Sequence, residues 1–122
     1  MNDDGMRRTW DTYTAAWNAA GEEGRRAALD ASVERACVYR DPLGQADGVD
    51  ALVATMLAFR ERVPGGRFET TYFRAHHGRS VARWTMRDGD GAALGEGISV
   101  GEYGAHGRLV AMTGFFDAPA GA

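Results

Sequence analysis

Residues 39–48 read Tyr39-Arg40-Asp41-Pro42-Leu43-Gly44-Gln45-Ala46-Asp47-Gly48, and they place an acidic residue where one element ends and another begins. The run from Cys37 to Asp41 is short and partly β-branched, and Pro42 stops it, so it is predicted to be a strand. Residues 43–48 are predicted to form a loop. Asp47 is expected to cap a helix over residues 49–62. A short strand that ends in a carboxylate therefore lies between helices.

Two further helices are predicted on the N-terminal side of this stretch. The first covers residues 6–20, because its large apolar residues recur every three or four positions: Met6, Trp10, Tyr13, Trp17 and Ala20. The second covers residues 23–36, with Leu29, Val33 and Ala36 facing inward. The N-terminal half of the chain is therefore expected to be mainly helical.

Strands are predicted on the C-terminal side, after Pro64-Gly65-Gly66 ends the third helix. Alternating apolar and polar residues indicate four strands, which begin near Phe68 and then cover residues 80–87, 92–103 and 109–117. The run Asp88-Gly89-Asp90-Gly91 is typical of a hairpin turn. Helices followed by strands are typical of the α+β class. We expect three helices, with one short strand among them, and then a four-stranded meander.

Length, composition and charge exclude several classes of protein. The 122 residues fit one domain, 1–122, and 44% hydrophobic with 25% charged residues is typical of a globular chain. A net charge of −3 argues against nucleic acid as a partner, and no apolar run is long enough for a membrane span. The single cysteine, Cys37, excludes an internal disulfide, and the acidic start of the chain is unlike a signal peptide. We expect a cytoplasmic protein.

Familiar catalytic and metal-binding motifs are missing from the sequence. There is no dinucleotide-binding glycine pattern, no phosphate-binding loop and no G-x-S-x-G serine motif. The histidines, His76, His77 and His106, lack the spacing of metal ligands. We therefore expect no metal site and no cofactor.

After these exclusions, the remaining candidate site is one carboxylate, Asp41, near aromatic residues. Asp41 ends its strand where helices and sheet must meet, and Tyr13 and Trp17 lie on the apolar stripe of the first helix. One face of the strand over residues 92–103 carries only small residues: Gly95, Gly97, Ser99 and Gly101. Such a face cannot fill the space beneath it, so it predicts an apolar cavity between sheet and helices.

The chain resembles a known family at these residues. The run Tyr39-Arg40-Asp41-Pro42-Leu43-Gly44, with Gly48 before a helix, resembles the D-P-x-G…G segment of ketosteroid isomerase and its SnoaL-like relatives in the nuclear transport factor 2-like (NTF2-like) superfamily. The likeness extends from about Tyr13 to Asp117. It implies a cone-shaped α+β fold, with three N-terminal helices packed into a strongly curved, mostly antiparallel sheet. The superfamily includes isomerases, cyclases, epoxide hydrolases, dehydratases and non-enzymatic binding proteins.

The resemblance also implies roles for individual residues. Asp41 matches the general base of the isomerase and Tyr13 its oxyanion donor. Ser99 stands where the isomerase has a second donor, an aspartic acid, and Met56 where it has a supporting tyrosine. The positions that correspond to the wall around the substrate are Trp17, Met56, Phe68, Ala82, Trp84, Met86, Gly97, Gly114 and Phe116.

These residues favour a cofactor-free enzyme that acts on a small, largely apolar cyclic metabolite. Asp41 would abstract a proton next to a carbonyl, as an isomerase or a polyketide cyclase requires, and Tyr13 would stabilise the enolate. The alternatives are an epoxide hydrolase or hydratase, in which Asp41 activates water, and a non-catalytic module that binds small molecules. The outer face of the sheet carries too many apolar residues for a monomer: Val81, Leu94, Ile98, Val100 and Phe115. We therefore expect a homodimer that forms through the sheet.

Overall fold

Three helices and six strands make up the protein in a computed structural model that describes residues 2–117. They are α1 Asp3–Asn18, α2 Glu22–Ser32, β1 Val33–Asp41, β2 Gly44–Asp47, α3 Val49–Arg62, β3 Arg67–His76, β4 Arg79–Arg87, β5 Ala93–Tyr103 and β6 Leu109–Phe115. The predicted domain, 1–122, includes residue 1 and residues 118–122, which lie outside the described residues. None of these helices combines the length and apolar character that crossing a membrane requires.

The six strands form one sheet in the order β2-β1-β6-β5-β4-β3. Neighbouring strands are antiparallel except for β1 and β6, which run parallel. The α+β prediction, with three helices and a mostly antiparallel sheet, is confirmed. The four strands after α3 form the expected meander, and β1 extends that meander at the edge of β6.

The sequence prediction fails at both ends of the segment that carries Asp41. The second helix ends at Ser32, not at residue 36, because the backbone from Val33 onward pairs with β6 instead. Residues 44–47, expected as a loop, form β2 and pair with the end of β1. Asp47 does not cap α3. Its carboxylate accepts a hydrogen bond from the Gln45 side chain at 2.8 Å, and Gly48 takes the capping position with a φ of 85°.

The helix α1 lies across the sheet with one face fully covered. Its buried residues are four of the five that the helical spacing predicts, Met6, Trp10, Tyr13 and Trp17, together with Ala16. The prediction is wrong for Ala20, because α1 ends at Asn18 and Ala20 lies exposed beyond it. The side chain of Asn18 fastens the end of α1 to β3, because its amide donates to the carbonyl of Phe68 and accepts from the Phe68 N–H. At Gly101 an added Cβ would lie 3.1 Å from the Trp10 ring, so helix and sheet meet closely there. The space between them remains open at the end where Asp41 and Gly114 lie.

Candidate active site

A cavity of about 420 Å³ opens between α1, α3 and the inner face of the sheet. Such a volume lies in the range of small-molecule sites. Aromatic side chains form most of its wall: Trp10, Tyr13, Trp17, Tyr39, Phe59, Phe68, Trp84 and Phe116. Several of these rings contact each other edge to face, including Phe68 with Trp84 at a centroid distance of 5.1 Å. The cavity therefore offers flat apolar surfaces to a ligand.

Asp41 lies in the wall of this cavity with both carboxylate oxygens engaged. Its Oδ1 accepts hydrogen bonds from the backbone N–H of Leu43 at 2.8 Å and of Gly44 at 3.1 Å. Its Oδ2 accepts one from the hydroxyl of Tyr39 at 2.5 Å. An ionised carboxylate has about four acceptor positions. Three of them are occupied, and the one that remains belongs to Oδ2.

Tyr39 lines the cavity and contacts Asp41, although the sequence analysis assigned it no role in the site. It lies two residues before Asp41 on β1, so both side chains point to the inner face of the sheet. Burial raises the pKa of the Tyr39 hydroxyl far above its ordinary value, and the neighbouring Tyr13 and Asp41 raise it further. The hydroxyl therefore stays protonated and remains a hydrogen-bond donor to Asp41.

Tyr13 contributes a second protonated hydroxyl to the same cavity. Its oxygen accepts a hydrogen bond of 2.9 Å from the indole N–H of Trp17, one helical turn further along α1. Burial raises the pKa of Tyr13 well above its ordinary value, although the hydrogen bond from Trp17 opposes the rise. Trp17 thus supplies the support that the resemblance assigns to position 56. The hydroxyl hydrogen of Tyr13 is left for another acceptor.

Ser99 lies close to Asp41 across the floor of the cavity. A Cβ added to Gly114 would lie 3.6 Å from Cβ of Asp41 and 3.7 Å from Oγ of Ser99. The hydroxyl of Ser99 accepts a hydrogen bond of 3.0 Å from the indole N–H of Trp84. Asp41, Tyr13 and Ser99 therefore line one cavity, with the bare backbone of Gly114 between the first and the last.

Most of the predicted wall residues line the cavity, and three do not: Ala82, Met56 and Gly97. Those that line it are Trp17, Phe68, Trp84, Met86, Gly114 and Phe116. Ala82 has no exposed surface. Gly97 is covered by the Trp84 ring, which would lie only 2.1 Å from an added Cβ. Met56 has no exposed surface and packs in the core. On α3 the residues that line the cavity are instead Thr55, Phe59 and Arg62.

The charged groups around the cavity are mainly acidic. Asp41, Glu96 and Asp117 lie in its wall, and Arg62 contributes the one positive charge among the described lining residues. Arg62 also borders a smaller chamber of about 170 Å³, which shares Tyr39 and Asp41 with the main cavity. Across residues 2–117, no three His, Cys, Asp or Glu side chains converge as metal ligands would.

Comparison with known proteins relates this chain to one family. The pattern of the SnoaL-like domain matches residues 10–112. A solved structure of a SnoaL-like protein from Agrobacterium tumefaciens, an inferred isomerase, has 28% sequence identity and a TM-score of 0.87. That alignment covers 94% of this chain and 99% of the other. No protein with a curated function matches the sequence.

More distant structures share the fold. An inferred polyketide cyclase from Sinorhizobium meliloti has 14% identity and a TM-score of 0.72, with 90% of this chain and 97% of that chain covered. A protein of unknown function with a cystatin-like fold, from Methylobium petroleophilum, has 17% identity and a TM-score of 0.79, with 100% and 83% covered. At these identities the likeness is one of fold.

Proposed function

We propose, for a chain that belongs to the SnoaL-like domain family, an enzyme that abstracts a proton next to a carbonyl of a small, largely apolar cyclic metabolite. The observation that carries the proposal is the state of the Asp41 carboxylate. Three donors hold it at the wall of an aromatic cavity and leave one acceptor position, on Oδ2. A general base needs a free lone pair and a fixed orientation, and this carboxylate has both.

The reaction begins when Oδ2 of Asp41 takes a proton from the carbon beside the carbonyl. The electron pair of the broken C–H bond forms a carbon–carbon double bond, and the carbonyl oxygen becomes an enolate. Tyr13 donates a hydrogen bond to that oxygen, and Ser99 adds a second. Protonated Asp41 then returns the proton to another carbon, which completes an isomerisation. In a cyclase the enolate carbon instead attacks a second carbonyl of the same molecule. Proton transfer by these residues is all that the first step requires.

Deuterium exchange tests the first step without knowledge of the true substrate. The protein is incubated in heavy water with a β,γ-unsaturated cyclic ketone, and loss of the α-proton signal is followed by NMR. Asp41→Asn should abolish the exchange while the ketone still binds, because an amide has no basic oxygen. Asp117→Asn is the matched control, since it removes an acidic group of the same cavity. Exchange that survives in Asp41→Asn would overturn the proposal.

Two other functions would give different results in the same experiment. A hydrolase or hydratase would show no α-proton exchange but would add water to an epoxide or alkene in an Asp41-dependent way. A binding module would bind the ketone and catalyse neither reaction.

The oxyanion donors should contribute unequally. Removing one good donor typically lowers the rate by about 10²–10³. We expect Tyr13→Phe to approach that loss and Ser99→Ala to cost about tenfold, because an alcohol is a weaker acid than a phenol. If Tyr13→Phe left exchange intact while Asp41→Asn abolished it, the enolate mechanism would be wrong and water activation by Asp41 would be favoured.

The outer face of the sheet supports a second proposal, that two copies of this chain form a dimer. Tyr72, Arg83, Ile98 and Phe115 are successive register partners across β3, β4, β5 and β6. Phe115 is 57% exposed and Ile98 is 40% exposed. Arg74 and Arg83 lie over the ring of Tyr72, and Glu102 shares the face of β5 with Ile98. A two-fold axis through such a face would cover the apolar residues and bring arginines opposite glutamates.

A further inference from the structure

The two hydroxyl groups assigned to the oxyanion share one hydrogen-bonding arrangement. Each accepts a hydrogen bond from an indole N–H, Tyr13 from Trp17 and Ser99 from Trp84. Within residues 2–117, neither hydroxyl oxygen has another hydrogen-bond partner. Both pairs line the same cavity.

An indole N–H can only donate, so its partner oxygen must accept. A hydroxyl that accepts a hydrogen bond has its hydrogen turned away from the donor. Its O–H bond is also more polarised, because successive hydrogen bonds reinforce each other. The hydroxyl becomes a better donor and a poorer acceptor toward any third group. Two such hydroxyls in one apolar cavity favour a ligand oxygen that accepts.

We propose that Trp84 and Trp17 are positioning residues that bias Ser99 and Tyr13 toward donation, so that the cavity selects a ketone or enolate over the matching alcohol. This selection rests on the proposed function, which places a carbonyl oxygen at these hydroxyls. The inference goes beyond the proposed function because it names Trp17 and Trp84 as the residues that impose the preference for a ketone or enolate oxygen. Trp84 carries the sharper test, because its ring packs against Gly97 and a smaller ring still fits there.

The experiment compares binding of 1-tetralone and 1-tetralol, which differ only at C1, where the first carries a carbonyl oxygen and the second a hydroxyl group and a hydrogen. Dissociation constants are measured by calorimetry, without turnover. The unmodified protein should bind the ketone about tenfold more tightly than the alcohol, the scale of one hydrogen bond. Trp84→Phe removes the N–H but keeps an aromatic ring, and it should reduce that ratio about threefold. Tyr103→Phe, which removes a ring-borne hydrogen-bond donor outside the cavity lining, is the matched control and should leave the ratio unchanged.

A double-mutant comparison separates positioning from packing. In a Ser99→Ala background, Trp84→Phe should no longer change the ratio, because the hydroxyl it orients is gone. An equal change with and without Ser99 would overturn the proposal, as would an unchanged ratio in the single variant. If Trp84→Phe does not fold, the indole proton of Trp84 is followed by NMR in Ser99→Ala. Its resonance should move upfield, and an unmoved resonance counts against the proposal.

The outcome is independent of the catalytic test. Coupling between Trp84 and Ser99 in binding, without Asp41-dependent exchange, would refute the base chemistry and retain the selection of acceptor oxygens. Exchange without that coupling would do the reverse.

Discussion

The hydroxyl of Tyr39 donates a hydrogen bond of 2.5 Å to Oδ2 of Asp41, the oxygen that also carries the one free acceptor position of the carboxylate. This contact joins alternate residues of one strand, so it needs no distant part of the chain to form. It fixes the rotation of the carboxylate about its Cβ bond and thereby aims the remaining lone pair. Hydrogen bonds to a charged group are among the stronger ones in proteins.

Replacing Tyr39 by Phe should lower the rate of α-proton exchange more than it weakens ketone binding. Small displacements of a reacting group can cost about 10²-fold in rate, so we expect a loss of about 10–100-fold. Tyr103→Phe is the matched control. Tyr103 is a half-buried tyrosine whose hydroxyl bonds Ser80 and the Met6 carbonyl, outside the cavity lining. Both variants should lose stability, but only Tyr39→Phe should slow exchange. Equal rates in the two would show that the Tyr39 contact does not orient the base.

Substitution of Gly114 by Ala should block the space between Asp41 and Ser99 without unfolding the protein. The added methyl would make ordinary contacts at 3.6 and 3.7 Å and would project into the cavity floor. We expect a raised KM for bulky cyclic ketones, with stability changed by less than about 1 kcal/mol. Denaturant unfolding and initial rates measure the two effects.

Gly97→Ala serves as the comparison with Gly114→Ala. It should lower the stability of the protein instead of blocking the cavity. Its methyl would overlap the Trp84 ring at 2.1 Å, so the ring must move or the backbone must shift. Overpacking of this kind costs about 1–3 kcal/mol. A Gly97→Ala variant as stable as the unmodified protein would contradict the placement of the Trp84 ring.

The protein should lose stability above about pH 10, where unfolded tyrosine ionises. Burial raises the pKa of Tyr13 and Tyr39 in the folded state, so the unfolded chain releases their protons first and alkaline pH favours unfolding. Each tyrosine should contribute a slope of about 1.4 kcal/mol per pH unit between its unfolded and folded pKa.

No lysine titrates in the same pH range as the tyrosines, because all basic side chains other than histidine are arginines, which stay charged there. Burial also raises the pKa of the Cys37 thiol, which adds a contribution of the same sign. That contribution begins at lower pH, because the ordinary pKa of cysteine lies below that of tyrosine. Urea unfolding between pH 8 and 11 tests the expectation. The slope should be shallower in Tyr39→Phe by one tyrosine, and a flat profile would refute it.

Phe115→Arg should separate the proposed dimer into monomers of 13.1 kDa in sedimentation experiments at micromolar concentration. The variant would place a charged side chain in the proposed interface, where Phe115 lies next to Ile98, and apolar contact would be lost. Leu57→Arg, which changes an apolar residue on α3 with 44% exposure, is the control and should leave the mass unchanged. If the unmodified protein sedimented only as a monomer, the proposal of a dimer would be wrong.

Local pattern was enough to predict much of this arrangement. The buried stripe of α1 follows from spacing alone, and the family motif identifies the strand end that carries Asp41. The start of β1 could not be predicted, because Val33 leaves the helix to pair with Leu109, which lies far along the chain. On α3 the error was one residue. Neighbouring helical positions differ by about 100° around the axis, so Thr55 borders the cavity while Met56 points into the core.

The hydrogen-bond partners at the site depend on contacts that no local pattern encodes. Trp84 reaches Ser99 because their strands pair with Trp84 opposite Gly97, and a glycine leaves room for the ring to lie across the sheet. The family motif alone therefore predicts which residue types are present in the site but not which of them are hydrogen-bonded to each other.

The parallel pairing of β1 with β6 bears on when the site can form. Asp41 lies at the end of β1, and its floor at Gly114 belongs to β6, which follows every other described element. During synthesis, the helices and the Tyr39–Asp41 contact can therefore exist before the cavity has a floor. Pairings between distant segments are slow to form because the intervening chain must be ordered first. The capacity to bind a ligand should consequently be among the last properties the folding chain acquires.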